Sequence, residues 1–124
     1  GRQERREGQM IVMRPIQEPL VLEEINQGRF SGEVEGYVVM DGPDYKGSFL
    51  YKVENGVTWV LDEQLTDPSL IDGAVRAAVA AGENRGAGSF GINTDSPRLA
   101  AWRQAMFKIG PDVLPNDRLF HLCG

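Results

Sequence analysis

The chain has 124 residues, with 13 basic and 18 acidic side chains that give a net charge of −5 at neutral pH. This length suits one domain with a real core, and the apolar and charged fractions of 41% and 25% are ordinary for a globular protein. The acidic balance argues against general nucleic-acid binding, and no apolar stretch is long enough to span a membrane.

Residues 1–9 are polar, charged and without hydrophobic periodicity, which is typical of a disordered leader or a cloning remnant. We expect residues 10–124 to form a single α+β domain. Cys123 is the only cysteine, so no disulfide can form within the chain. Together with the lack of a signal-peptide pattern, this favours a cytoplasmic location and no membrane partner.

The first predicted elements are a strand, a helix and a second strand. The apolar run Met10–Met13 is typical of an edge strand that ends at Pro15. Pro19 suits the first position of a short helix, which Gly28 ends. The alternating run Gly32–Met40 predicts a strand with one buried face. On the face opposite to its small and apolar residues, this strand carries Glu33, Glu35, Tyr37 and Val39.

The clearest structural signal is Asn55-Gly56, which separates two alternating runs. Both residues suit the positive φ angles of a type I′ turn, so the runs on either side are predicted to pair as an antiparallel hairpin. Lys52 then lies opposite Trp59 on the outer face of the sheet. The more uniformly apolar face is expected to point inward, and it carries Phe49, Tyr51, Val53, Thr58 and Val60.

Two longer helices are predicted after the hairpin. Asp67 caps the first helix, with Pro68 at its first position, and Gly82 ends it. Ser96-Pro97 begins the second helix by the same device. The resulting fold class is α+β: a mainly antiparallel sheet, built around the Asn55-Gly56 hairpin, with both longer helices packed on its apolar face.

The remaining predictions concern the connections and the C-terminus. The second helix is expected to reach Ile109, and a short strand is expected at Phe90–Ile92 between the two helices. The stretch 112–117 is interpreted as a loop. Arg118–Cys123 is interpreted as a closing strand.

Acidic side chains are concentrated between Glu18 and Glu63, where ten of them stand against three basic ones. With no strong catalytic signature in the chain, this asymmetry favours a non-enzymatic module that meets a protein or cationic partner through an acidic sheet surface. A solvated surface that keeps the protein soluble explains the same pattern. The residues predicted to bind the partner are Glu33, Glu35, Tyr37, Lys52, Glu54 and Trp59.

A second hypothesis places a small-molecule site, with or without catalysis, beside the glycine-rich segment Gly82–Asp95. Arg85 and the amides of Gly86 and Gly88 are predicted to hold an anion. Asp95 or Glu83 is the candidate general base.

The segment Gly86–Gly91 also matches the spacing G-x-G-x-x-G. A dinucleotide loop needs a strand before this motif and a helix that opens at its end. Here a helix comes first and the next helix starts too late, so a flexible connector is the favoured interpretation.

The C-terminus carries His121 and Cys123, the one histidine and the one cysteine of the chain. Two such ligands are too few for a dedicated zinc site, so neither a metal nor a cofactor is predicted. Self-association through edge strands is a third hypothesis for how the chain functions.

Overall fold

The structure is a computed structural model that describes residues 10–108 and 110–120. In this part of the chain six strands form one sheet, and the helices lie against its faces. The strands are β1 (Ile11–Pro15), β2 (Glu35–Asp41), β3 (Asp44–Glu54), β4 (Val57–Leu65), β5 (Ser89–Ile92) and β6 (Val113–Pro115). The helices are α1 (Pro19–Asn26), α2 (Ile71–Glu83), α3 (Pro97–Met106) and α4 (Asp117–Phe120), and a 3-10 turn, Pro68–Leu70, leads into α2.

The order of the strands in the sheet is their order in the chain, from β1 to β6. Neighbouring strands are antiparallel, except that β4 and β5 run parallel. A parallel pair needs a crossover connection, and α2 provides it here. The predicted α+β class, with a mainly antiparallel sheet and two longer helices on one face, is confirmed.

The predicted hairpin joins β3 and β4. Asn55 and Gly56 have φ angles of 52° and 78°, as a type I′ turn requires, and Lys52 lies opposite Trp59. After the fourth residue pair from the turn the register shifts, because Leu61 is an extra residue in β4. Such a β-bulge moves the residues beyond it to the opposite face of the sheet. It places Asp62 opposite Leu50, away from α2 and α3.

The core lies between the sheet and the pair of helices α2 and α3. Phe49, Val60 and Phe90 point into it from three strands and are at most 1% exposed. At the end of α2, Gly82 lies so close to Thr58 that a Cβ atom there would overlap the threonine hydroxyl. The helix therefore packs directly on β4. The larger side chains buried along α2 are Ile71, Ala74, Val75, Ala78 and Val79.

The faces predicted for β2 are reversed in the structure. Tyr37 pairs with Phe49 and Glu35 pairs with Tyr51, so both residues share the helix-covered face of the sheet. Val39, on that same face, is fully buried, whereas Gly36 points to the other side, against Leu50. The prediction was wrong because it assigned the inner face from the residues of β2 alone, whereas pairing with the buried face of β3 decides it.

The C-terminal elements also differ from the prediction. Residues 113–115 form β6, where a loop was expected, and residues 118–120 belong to α4, where a strand was expected. The Asn116 amide donates to the Gly88 carbonyl, while its own carbonyl accepts from Leu119 and Phe120 and so opens α4. The helix α3 ends at Met106. The expected leader 1–9, the last expected helical residue Ile109, and the pair His121 and Cys123 lie outside the described residues.

Across the described part of the chain, none of the helices is long and apolar enough to cross a membrane.

Candidate functional site

The sheet opens into a fork where β4 and β5 stop pairing. The last backbone pair joins Val60 to Ile92, and the Asn93 amide then donates to the Val60 carbonyl at 2.9 Å. The side-chain Nδ2 of Asn93 donates to the carbonyl of Leu61, the bulge residue, at 2.8 Å. The side chain of Asn93 therefore makes the hydrogen bond that the next backbone pair between β4 and β5 would otherwise make. From Asp62 onward, β4 pairs with β3 alone.

An open cleft of about 660 Å³ lies at this fork, on the face of the sheet that carries Trp59. We call it the fork cleft. Strand residues form its floor, and the segment after α1, the segment after β5 and one residue before β6 form its walls. The residues that line it are Arg29, Phe30, Lys52, Glu54, Trp59, Leu61, Ile92, Asn93, Thr94, Asp95 and Asp112.

The indole of Trp59 lies directly over the backbone of Gly91. A Cβ atom at Gly91 would overlap the indole ring, so this position accepts only glycine without a shift of the tryptophan. The contact holds the ring beside the fork. The last glycine of the predicted connector therefore has a packing role in β5.

Both cations of the fork cleft are held by groups of the chain itself. The guanidinium of Arg29 pairs with Asp62 at 3.0 Å and donates to two carbonyls at the end of α1. The ammonium of Lys52 donates to the Ser31 carbonyl at 3.1 Å and lies 3.5 Å from Glu54. These contacts tie the segment between α1 and β2 to the sheet as one wall of the cleft.

Two carboxylates of the fork cleft are open to ligands. Asp95 and Asp112 are exposed, and their carboxylates make no hydrogen bond or ion pair with other residues that the structure describes. Asp95 is positioned by its own backbone, because its amide donates to the Asn93 side chain at 3.1 Å. The predicted base Asp95 therefore lies in the cleft. The other candidate, Glu83, is the last residue of α2 and does not line it.

The amino end of α2 lies at the carboxyl end of β4, on the helix-covered side. Asp67 accepts the Ser69 amide at 3.0 Å, and this hydrogen bond holds the pKa of Asp67 below its ordinary value. Asp72, in the first turn, accepts from Arg76 at 2.8 Å and from the indole of Trp102 at 3.0 Å.

Helix α3 packs over the same corner through Arg98. Its guanidinium donates to the Glu63 carboxylate at 2.9 Å and to the Leu65 carbonyl at 2.8 Å. Glu63 is almost fully buried and also accepts the Leu65 amide at 3.0 Å. The end of β4 is thus closed by an internal ion pair.

The predicted anion site at Arg85 is engaged with Glu35. The two side chains form a bidentate pair with N–O distances of 2.7 Å and 2.9 Å. The Gly86 amide donates within the turn, to the Glu83 carbonyl, and Gly88 is exposed. Anion binding at this position stays a prediction, and an anion would compete with Glu35 for the guanidinium.

The hydroxyl of Tyr51 lies 3.3 Å from the carboxylate of Glu35, so Arg85, Glu35 and Tyr51 form one polar cluster. Burial, and then the nearby Glu35 carboxylate, raise the pKa of Tyr51 above its ordinary value. The hydrogen bond to Glu35 raises the pKa of Arg85. The cluster joins β2, β3 and the end of α2.

The six residues predicted to bind a partner do not form one surface. Lys52, Glu54 and Trp59 line the fork cleft, whereas Glu35 and Tyr37 lie on the opposite face, where Tyr37 stacks on Phe49 with centroids 5.3 Å apart. Glu33 lies in a groove beside α1 that Glu35 also lines.

Sequence reasoning missed the central residue of the fork, Asn93, and the wall residues Arg29, Phe30 and Asp112. No local sequence pattern marks these residues. They come together only because β4 pairs with β5 and because the chain after α1 runs back along the sheet. The described residues contain no group of three or more histidine, cysteine or acidic side chains that could hold a metal ion.

Comparisons with known proteins identify a similar fold. No family model and no curated protein matches the chain. The structure is similar to the crystal structure of a Bacillus subtilis acetyltransferase in complex with CoA, with a TM-score of 0.59 and 13% identity over 82% of this chain and 79% of that one. It also matches nourseothricin acetyltransferase, with a TM-score of 0.45 and 19% identity over 58% of this chain and 48% of that one.

These findings correct the main functional hypothesis. The interaction module, with its protein-binding acidic surface, was wrong: the fold is similar to that of the Bacillus subtilis acetyltransferase, and Glu35 and Glu54, which were to share the surface, lie on different faces. The small-molecule hypothesis fits this fold better.

Proposed function

We propose that this chain is a small-molecule enzyme whose ligand binds in the fork cleft. The observation that carries the proposal is the cleft at the carboxyl end of β5, where Asn93 ends the pairing of β5 with β4. In sheets with parallel strands, ligands bind in the crevice outside the carboxyl ends of those strands. The fold shared with the Bacillus subtilis acetyltransferase supports the proposal.

The groups of the fork cleft suit a small polar molecule with one flat or apolar part. The indole of Trp59 offers an apolar surface. The Lys52 ammonium has three N–H donors, of which Ser31 and Glu54 take two, and the third is available to a ligand. Asp95 is the candidate to accept a proton from the ligand, since its carboxylate has no competing partner within the described chain.

The CoA of the Bacillus subtilis structure is not part of this proposal. CoA carries a diphosphate, which proteins hold with unpaired helix amides and with cations. At the amino end of α2 the Ser69 amide is bonded to Asp67, and Arg76 and Arg98 are paired with Asp72 and Glu63. The residues present there do not fit a diphosphate. A cytoplasmic location, expected from the sequence, remains part of the proposal.

The test uses fluorescence of the two tryptophans. A panel of unphosphorylated amines, carboxylic acids and thioesters is titrated into the protein, and the emission is recorded. We expect saturable changes in the wild-type protein and in Trp102→Phe, and none in Trp59→Phe, because only Trp59 lines the fork cleft.

The same compounds are followed by amide chemical shifts. The proposal would be supported by chemical-shift changes centred on residues 92–95. Asp95→Asn should lower the affinity of the compound that causes them at least about tenfold. Shifts confined to other parts of the protein, or binding that Asp95→Asn and Trp59→Phe leave unchanged, would refute it.

A further inference from the structure

The amino end of α2 occupies the place where a strand–helix unit ordinarily binds phosphate. Unpaired amides and the helix dipole make such an end attractive to anions. Here the amides of residues 69–71 are already used. Ser69 donates to the Asp67 carboxylate, Leu70 to the Asp67 carbonyl at 3.0 Å and Ile71 to the Pro68 carbonyl, while Pro68 has no N–H.

Two carboxylates add negative charge to the same end. Asp67 stands at its cap and Asp72 in its first turn. The dipole of a helix is equivalent to about half a positive charge at its amino end, so two carboxylates outweigh it. An incoming phosphate would meet like charge.

Two of the cations nearby, Arg76 and Arg98, are committed to partners within the chain, and the charge of Lys46 acts on the Asp67 carboxylate. Arg76 pairs with Asp72 at 2.8 Å and also donates to the Leu119 carbonyl at 2.9 Å. Arg98 bridges Glu63 and the Leu65 carbonyl. A diphosphate at either guanidinium would compete with these carboxylates, and the buried Glu63 would be left unpaired if its ion pair broke.

We infer that Asp67 and Asp72 are selectivity residues that exclude diphosphate-bearing ligands from this end of the sheet. If the fork cleft is the ligand site, as proposed above, its ligand is therefore a molecule without a diphosphate arm. The exclusion of diphosphates concerns the amino end of α2, and it does not depend on whether a ligand binds in the fork cleft.

The test compares the wild-type protein with Asp67→Ser combined with Asp72→Asn. Serine retains the capping oxygen, and asparagine retains an acceptor for the Trp102 indole, so the fold is preserved while two charges are removed. Glu18→Gln combined with Glu24→Gln is the control, because it removes two exposed charges at α1 instead of at α2. Unfolding temperatures establish that all three proteins are folded.

Inorganic pyrophosphate and CoA are the probes, at millimolar concentrations and constant ionic strength. Binding is followed at the amides of residues 69–73. We expect no saturable shift in the wild-type protein or the control, and a gain of at least about tenfold in pyrophosphate affinity in the double variant.

Saturable binding of either probe to these amides in the wild-type protein would overturn the inference. So would a double variant with no gain, or a gain that the charge control shares. The amides of residues 92–95, read in the same spectra, report the fork cleft independently, so failure of the proposed ligand site is distinguished from failure of the exclusion.

Discussion

The two faces of the central hairpin share one alternating sequence but have different surroundings. On one face Tyr51, Thr58 and Val60 are buried under α2 and α3. On the other, Lys52 and Trp59 border an open cleft. Both long helices lie on the first side, whereas the described chain borders the second with the segment after α1, a helix that buries none of its residues. The strands thus provide two usable faces, and the crossover helix decides which becomes core.

The largest expected effect on stability comes from removing a large side chain from the helix-covered face. Phe90→Ala removes a fully buried ring that lies 6.1 Å from Phe107, and we expect a loss of about 3–5 kcal/mol in the free energy of unfolding. Trp59→Ala, on the cleft face, should cost below about 2 kcal/mol, because part of that ring is already in water. Urea denaturation measures both, and equal losses would contradict the difference between the faces.

A smaller effect is expected from adding one methyl group under α2. Gly82→Ala places a Cβ atom against the Thr58 side chain, and we expect a loss of about 1–3 kcal/mol from overpacking. Gly88→Ala is the matched control, since nothing lies within 4 Å of a Cβ there, and its effect should stay within about 0.5 kcal/mol. Thermal unfolding compares the two variants. A neutral Gly82→Ala would show that α2 does not rest on β4.

The stability of the protein at alkaline pH reports on Tyr51, at the edge of the helix-covered face. Because burial beside Glu35 raises the pKa of Tyr51, the folded protein keeps this phenol protonated at a pH where the unfolded chain ionises it. Stability is therefore fully present below about pH 10 and falls as the pH rises above that value.

Tyr51→Phe should reduce this alkaline loss of stability, as followed by urea denaturation across that pH range. Tyr45→Phe removes a phenol that is 58% exposed and should leave the loss unchanged. Identical pH profiles for the wild-type protein and Tyr51→Phe would count against the buried cluster.

The smallest effect is expected on the cleft face. Glu54→Gln removes the partner of Lys52, but the pair is 3.5 Å apart and the glutamate side chain is 47% exposed. Water screens such a pair, so the change in unfolding free energy should stay within about 0.5 kcal/mol. Chemical denaturation checks this, and a loss comparable to that of Gly82→Ala would mean that this face is also structural.

The parts of the fold that were predictable are those that local chemistry specifies. Asn55-Gly56 accepts positive φ angles, so it determined the turn and the pairing of Lys52 with Trp59. Asp67 with Pro68 marked the start of the helical segment that leads into α2. Each of these signals acts within a few residues, where sterics and hydrogen bonding leave one favourable conformation.

The candidate site was less predictable, although Lys52, Trp59 and Asp95 were named from the sequence. Three residues of the site show why, because partners distant in sequence define their roles. Leu61 looks like any other apolar strand residue until β3 shifts register against it. Asn93 looks like a loop residue until its side chain bonds the Leu61 carbonyl. Arg29 acquires its position from Asp62, which the bulge turned toward it.

By itself, the sequence determined a hairpin, its apolar face and two helices to cover it, because turn chemistry and alternation are properties of neighbouring residues. Tertiary structure decided the rest: which face of β2 is buried, where β4 bulges, and where β5 ceases to pair with it. Those outcomes depend on hydrogen bonding between strands that lie up to about thirty residues apart in the chain, and the fork cleft exists only because that bonding stops at Asn93.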